Sequence, residues 1–303
     1  NNTAGSDIIT FAIGSGAQTI NLSSALPTIT SVIQIQGDSQ PGFTGEPLIA
    51  LNGASAGASS AGLVFSGAAA AGGSVKYLAI NNFTSSGIQI LSTSNITVAG
   101  NYLGTNLAGT AAAGNEVGVL IFDSANNTIG GSTAATRNVI SGNTVDGVQI
   151  FGGGGTGNVV AGNFIGLDAT GTADLGNTNQ GVAIFQGATY NTVGGTTAGA
   201  RNFISGNDEV GVRISDSGTN YNTISGNYIG TNAAGSGAVG NTFQGVQIDA
   251  GSANLIGGTV AGAGNVISGN YVDGIQVFGS ATGNKNVITY KHMDAMKDQA
   301  IVC

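Results

Sequence analysis

The chain has 303 residues, 54 of them glycine and 3 proline; only 7% are charged, for a net charge of −8. Without a basic patch it has no footprint for nucleic acid, and no apolar run approaches the ~18 residues of a membrane span, so membrane insertion is excluded as well. The repeated body contains no cysteine, Cys303 being the last residue, which fits an extracellular or cell-surface setting.

Residues 1–61 hold all three prolines (Pro27, Pro41, Pro47) and lack regular phrases. Ile8 to Ile13, Thr19 to Leu22, Val32 to Gln36 and Leu48 to Leu51 still read as short strands, so this part is expected to form irregular first coils. Beyond it a unit recurs: a glycine opens an apolar run at 62, 87, 118, 147, 181, 211, 245 and 274, often as Gly-Asn, three free residues, then Gly-Val/Ile-x-Ile/Val. A self-similar period of this size marks a repeat architecture.

Each repeat continues with Asn-x-Ile/Val-x-Gly (from Asn127, Asn158, Asn191, Asn222 and Asn254) and then Asn-x-Ile/Leu (from Asn138, Asn163, Asn202, Asn227 and Asn265). That gives three strand-sized runs with period-two alternation and no sustained helical period. Extra residues enter at alternate places: between runs two and three in Ser132 to Arg137, Thr196 to Arg201 and Thr259 to Gly264, or after run three in Asn106 to Ala113, Asp168 to Leu175 and Asn232 to Val239. Stacked parallel coils follow, with like residues in columns about 4.8 Å apart. The Val148/Val182/Val212 and Ile150/Ile184/Ile214 columns face inward, and the asparagine columns form amide ladders. The expected fold is all-β, a parallel β-solenoid of about nine or ten coils with three short strands per coil. It occupies 1–290 as one domain.

The phrases Asn-Thr-Ile-Gly-Gly, Ala-Arg-Asn-Val/Phe-Ile-Ser-Gly-Asn and Gly-Asn-Tyr-Ile-Gly-Thr resemble bacterial right-handed parallel β-helix repeat proteins of the pectate-lyase-like superfold. The opening Ser6-Asp-Ile-Ile-Thr-Phe-Ala-Ile, with Gln40-Pro-Gly-Phe, is similar to the start of large secreted bacterial surface proteins. In those a Ser-Leu-Arg-Glu-Ala-like cap phrase comes first; it is missing here, so a truncated N-terminus is expected. The resemblance implies that the solenoid is a right-handed parallel β-helix, and it specifies fold rather than activity.

At the far end, 291–303 differs in composition, with the only His, both Met and Cys303. It reads either as one short amphipathic helix capping the last coil's open edge, where end-to-end self-association would otherwise occur, or as a fusion or vector remnant foreign to the repeat body.

Acidic calcium ligands or an aspartate cluster with Gly-His-Gly would mark the lyase and hydrolase branches of the superfold, and this body has no histidine. Its one dense charged patch comprises Asp208, Glu209, Arg213 and Asp216 on one coil and Asp249 on the next; paired carboxylates there are candidates for general acid–base work on a sugar chain. The outward column of run one presents Gln89, Gln149, Gln247 and Gln276, an open polar face suited to glycan hydroxyls. The aromatic column Tyr102, Phe164, Phe203, Tyr228 on run three is expected to be buried by the two loop types, and Phe122, Phe151, Phe185 and Phe278 to pack corners. No metal or cofactor site is indicated. With regular columns and no catalytic phrase, the expectation leans away from an enzyme, toward a non-catalytic structural or adhesive module that contacts a polysaccharide or cell-surface glycan. A polysaccharide-active hydrolase or lyase is the alternative, and a self-associating scaffold or filament subunit the second.

Overall fold

The computed structural model describes residues 6–278, Gly283 and 285–286. The expected helix at 291–303, like the last residues of the 1–290 domain, lies outside the described residues. Three parallel sheets run the length of the rod. The first has 8 strands, from Leu63–Ser66 to Ile275–Phe278; the second has 10, from Asp7–Thr10 to Lys285–Asn286; the third has 9, from Gln18–Asn21 to Val266–Ile267. From Leu63 to Ile267 each turn of chain contributes one strand to each sheet in that order, and the fold is the expected right-handed parallel β-helix. The irregular opening residues join it: Asp7–Thr10 pairs with Ile33–Gln36, and Gln18–Asn21 with Ile49–Asn52.

Register follows the columns. Val148 pairs with Val182 and Ile150 with Ile184, and the next coil repeats this with Val212 and Ile214. Alternation sends those residues inward, where they join Ile129, Val160, Val193, Ile140, Ile165 and Ile204 in one continuous, fully buried core. A slip of one residue would turn every one of them to solvent, which is why the register holds.

The glycines that open the first-sheet strands from Gly62 to Gly245 are required by contact and not by a left-handed backbone. A Cβ on Gly181 would lie 2.7 Å from the Gly211 carbonyl oxygen and 2.7 Å from an Ile204 methyl. Gly181→Ala is expected to force the two coils apart and cost about 1–3 kcal/mol, read as a lowered midpoint in urea with little change in slope.

Three asparagine ladders fix the corners. One runs Asn101, Asn138, Asn163, Asn202, Asn227, Asn265, each amide donating to the next coil's side-chain oxygen. Asn127, Asn158, Asn191, Asn222 and Asn254 form the second. Asn115, Asn143, Asn177, Asn207, Asn241 and Asn270 form the third.

The alternating loops build two walls beside the third sheet. Each longer loop closes on itself, as in the bridge between Leu167 and Asp174, and stacks on its equivalent two coils away: the Ala169 amide donates to the Gly109 carbonyl and that of Ala233 to Gly171. In this loop burial raises the proton affinity of Asp168, but hydrogen bonds from the Ala173 amide, the Thr170 hydroxyl and the Thr172 amide outweigh it and hold the carboxyl below its ordinary range. Asn106 and Asn232 accept the same kind of backbone bonds in the neighbouring loops. The shorter loops carry the 3-10 turns Ala134–Thr136 and Ala198–Ala200, packed so closely that a Cβ on Gly199 would meet the Ser132 carbonyl. Between the walls Tyr102, Val139, Phe164 and Phe203 are buried, with Leu107, Ala169 and Ala233 against them, as the loop positions predict.

Candidate functional site

The outer face of the first sheet carries most of the chemistry. Gln149, Ala183, Arg213 and Gln247 occupy one outward column, in register from coil to coil. Just before the strands lies a second column, Asp146, Gln180, Val210, Gln244; the amides of the glycines that follow donate across coils to the carbonyls of Gln180, Val210 and Gln244.

Asp146 is only 3% exposed. Its carboxylate accepts from the Gln149 side-chain amide at 2.6 Å and from the Gln180 backbone amide at 2.8 Å. Gln180 reaches on with its own side-chain amide to the Glu209 carboxylate, so one residue ties together carboxyl groups two coils apart. Burial pushes the Asp146 carboxyl above its usual range and the negative charge of Glu209 pushes the same way, while the two hydrogen bonds and the Arg213 charge oppose. Arg213 sits beside the pair. Its guanidinium lies 4.0 Å from Asp249 on the next coil, and its Nε is buried without a hydrogen-bond partner. With both side chains about a third exposed, that ion pair contributes less than about 1 kcal/mol to folding. An ion pair that weak leaves the guanidinium available to another acceptor.

The five-residue charged patch expected from the sequence is therefore divided. Glu209, Arg213 and Asp249 share this face. Asp208, beside Glu209 in the bend before the strand, acts elsewhere: its charge bears on Asp174, whose carboxyl is raised chiefly by burial. Asp216 has a left-handed backbone (φ 72°) and its carboxylate accepts from the Gln186 amide, so it serves a turn. Asp146, outside the patch read from the sequence, takes their place.

The glutamines are half-exposed and already engaged. Gln89 donates to Ser85, Gln149 to Asp146, and Gln247 to both Gln244 and Gln276. They form a hydrogen-bonded surface rather than a row of free amides.

The phenylalanines differ from expectation too. Phe122, Phe151 and Phe185 are the last residues of their strands, with the same outward parity as Leu120, Gln149 and Ala183. Their rings stack at 4.9 Å spacing, and Phe122 is 36% exposed. They make an open aromatic edge beside the charged cluster instead of a corner filling. The column changes at the next coil to Ser215 and then Asp249, which leaves the outer face of Phe185 next to a small residue.

No group of three or more His, Cys, Asp or Glu could hold a metal ion among the described residues, and none of their helices is long and apolar enough to cross a membrane. No family model matches the chain. Among solved structures it is similar to the periplasmic alginate epimerase AlgG, at 15% identity over 86% of this chain and 51% of that one, with a TM-score of 0.55. A double mutant of that enzyme gives 14% identity, 89% and 68% coverage and a TM-score of 0.55. The A-module of the Azotobacter vinelandii mannuronan C-5 epimerase AlgE4 matches over 99% of this chain and 89% of its own at 15% identity, with a TM-score of 0.39. The chain spans about half the length of AlgG.

The AlgG structures, of an alginate epimerase, correct the expectation of a non-catalytic stalk or adhesive module and favour the alternative of a polysaccharide-active enzyme. The physical reason for the misjudgement is that the catalytic-looking groups come from four coils and form no contiguous phrase. What the similarity and the coordinates jointly establish is the fold, a right-handed parallel β-helix with three parallel sheets.

Proposed function

We propose that the chain is a polysaccharide-active protein that lays an extended sugar chain along the outer face of its first sheet. The observation that carries this reading is the gathering of Asp146, Glu209, Arg213 and Asp249 on one face, with the buried carboxyl of Asp146 protonating more readily than an ordinary aspartate. A carboxyl raised by burial and a second, half-exposed carboxylate are the pair that acid–base chemistry on a sugar needs. Two coils separate them, about 9.6 Å of rod at the inter-strand spacing. That lies near the upper end of the separation that admits a water between an acid and a base.

In this reading Asp146 donates a proton to the leaving oxygen once a substrate hydroxyl replaces the Gln149 amide that covers it. Glu209, the opposing carboxylate, takes the proton of a water that attacks the anomeric carbon, so that a new carbon–oxygen bond forms as the glycosidic bond breaks. Arg213, with its unpartnered Nε, orients the chain, and Phe122, Phe151 and Phe185 supply apolar contact for sugar rings. Action outside the cytoplasm belongs to the same proposal, supported by the cysteine-free body and the periplasmic setting named for AlgG.

The test is turnover of a panel of neutral glucans and polyuronates, followed by NMR of the products. The expected result is new chain ends with the parent chain, and none with an Asp146→Asn, Glu209→Gln double variant. Equal product from both proteins, or from neither on every polymer, overturns the proposal.

A further inference from the structure

The walls beside the third sheet end in a groove, on a different face from the charged cluster. The shorter loops stack on one another every second coil, and the first of them, around Ala134 and Ala135, has residues 45–47 of the opening coils across from it. Between the two lies a cavity of about 190 Å³, lined among others by Glu46, Tyr102, Arg137 and Phe164. That is below the roughly 300–1,000 Å³ of drug-sized sites and suits one sugar ring.

Arg137 is the group that asks for a ligand. Its Nε donates to the Gly162 carbonyl at 3.0 Å, and its guanidinium carbon stands 4.3 Å over the Phe164 ring. Those contacts fix the plane of the fork. The one ion pair among the described residues joins Arg213 to Asp249, so no carboxylate, Glu46 across the groove included, comes within 4.0 Å of Arg137, and burial lowers its proton affinity. Partial desolvation makes such a fork a stronger partner for an incoming carboxylate than an arginine in open water.

The opposite wall differs in kind. The Tyr102 hydroxyl, pushed up to about 12 by burial and then by the nearby charge of Glu46, stays neutral and can donate or accept. Glu46, exposed at the rim, accepts from hydroxyls. A bare carboxylate would meet only the arginine, and a neutral sugar only the other wall.

We propose that this groove binds a carboxylate-bearing sugar residue, with Arg137 on the carboxylate and Tyr102 and Glu46 on ring hydroxyls. It does not depend on the reading of the first sheet.

A built-in control makes the test sharp. Arg201, two coils on, does the same structural work: its Nε donates to the Gly226 carbonyl and its guanidinium stands 4.0 Å over Tyr228. It does not line the groove. Sodium glucuronate, glucose and sodium acetate are titrated into the full chain, into Arg137→Gln and into Arg201→Gln by competition calorimetry at fixed ionic strength. Glucuronate is expected to bind more tightly than either other probe, to weaken at least tenfold in Arg137→Gln and to keep its affinity in Arg201→Gln. Equal loss in the two variants, retention in Arg137→Gln, or acetate or glucose binding as well as glucuronate overturns the proposal, as does an unmodified chain that binds none of the three.

Discussion

Asn163→Ala is expected to lower the stability of the rod by about 3–5 kcal/mol, because the change strands several buried polar groups at once. The Asn163 side chain is fully buried. Its amide donates to the carbonyls of Ile129 and Ala161 and to the side-chain oxygen of Asn202, at 2.9, 3.1 and 3.1 Å. Its own oxygen accepts from the backbone and side-chain amides of Asn138, at 3.2 and 2.9 Å. Alanine leaves all of these partners facing a space too dry for water to repair. Asn163→Asp should be worse at neutral pH, since a carboxylate would face three acceptors, and should recover partly in acid as it protonates. Asn179→Ala, half-exposed on the same coil and making no side-chain hydrogen bond, is the reference and should change little. Urea denaturation of the three variants checks this. A loss below about 1 kcal/mol in Asn163→Ala would show that the ladder is ornament and that the apolar columns alone set coil spacing.

The fold was legible because it repeats. Ile150 and Ile184 announce their partnership through identical surroundings, and the pairing is present in the structure. The loops were legible for the same reason, and so was the burial of Phe164 and Phe203 between them. The candidate site was not, since it is built from departures from the repeat. Asp146 and Gln180 depart from the apolar Val210 of their own column, and they meet Glu209 and Arg213 only diagonally, from neighbouring columns on further coils. Reading along the chain joins Asp208 to Glu209, although the two stand in a bend and engage different partners, Asp174 and Gln180. Reading straight up a column joins Asp146 to Asp273 and overlooks Gln180 between them. The signal that could have found the site is a second-neighbour search on the unrolled lattice, for charges whose columns differ by one and whose coils differ by one or two. The phenylalanine stack was misplaced by a single residue: ending the strand at Ile150 puts Phe151 at a corner, whereas ending it at Phe151 puts the ring on the outer face.

Asp146→Asn is expected to move activity and stability in opposite directions. On the proposed polysaccharide, loss of the proton donor should reduce turnover by about 10²- to 10⁴-fold. Stability should rise at neutral pH. The folded state binds the Asp146 proton more tightly than the unfolded chain does, since burial and then Glu209 raise the carboxyl in the folded state. Between the ordinary aspartate value and that raised value the folded state carries more protons than the unfolded state, so stability falls as pH climbs through this window and stays lower above it. Asparagine cannot ionise and is spared that cost, while its side-chain oxygen can still accept the Gln180 amide and its amide can meet the oxygen of Gln149. Melting temperatures of the two proteins should therefore diverge at neutral pH and converge in acid below the ordinary carboxylate range, where Asp146 is protonated in both states. Asp168 supplies the contrast within one molecule: held below its ordinary range, its contribution is present at neutral pH and lost as pH falls through the depressed value. A variant at Asp146 that lost activity and stability together would mark a structural carboxylate whose hydrogen bonds hold the strand ends. Gain of stability with loss of turnover is the signature of a carboxyl kept in an unfavourable setting for the sake of its chemistry.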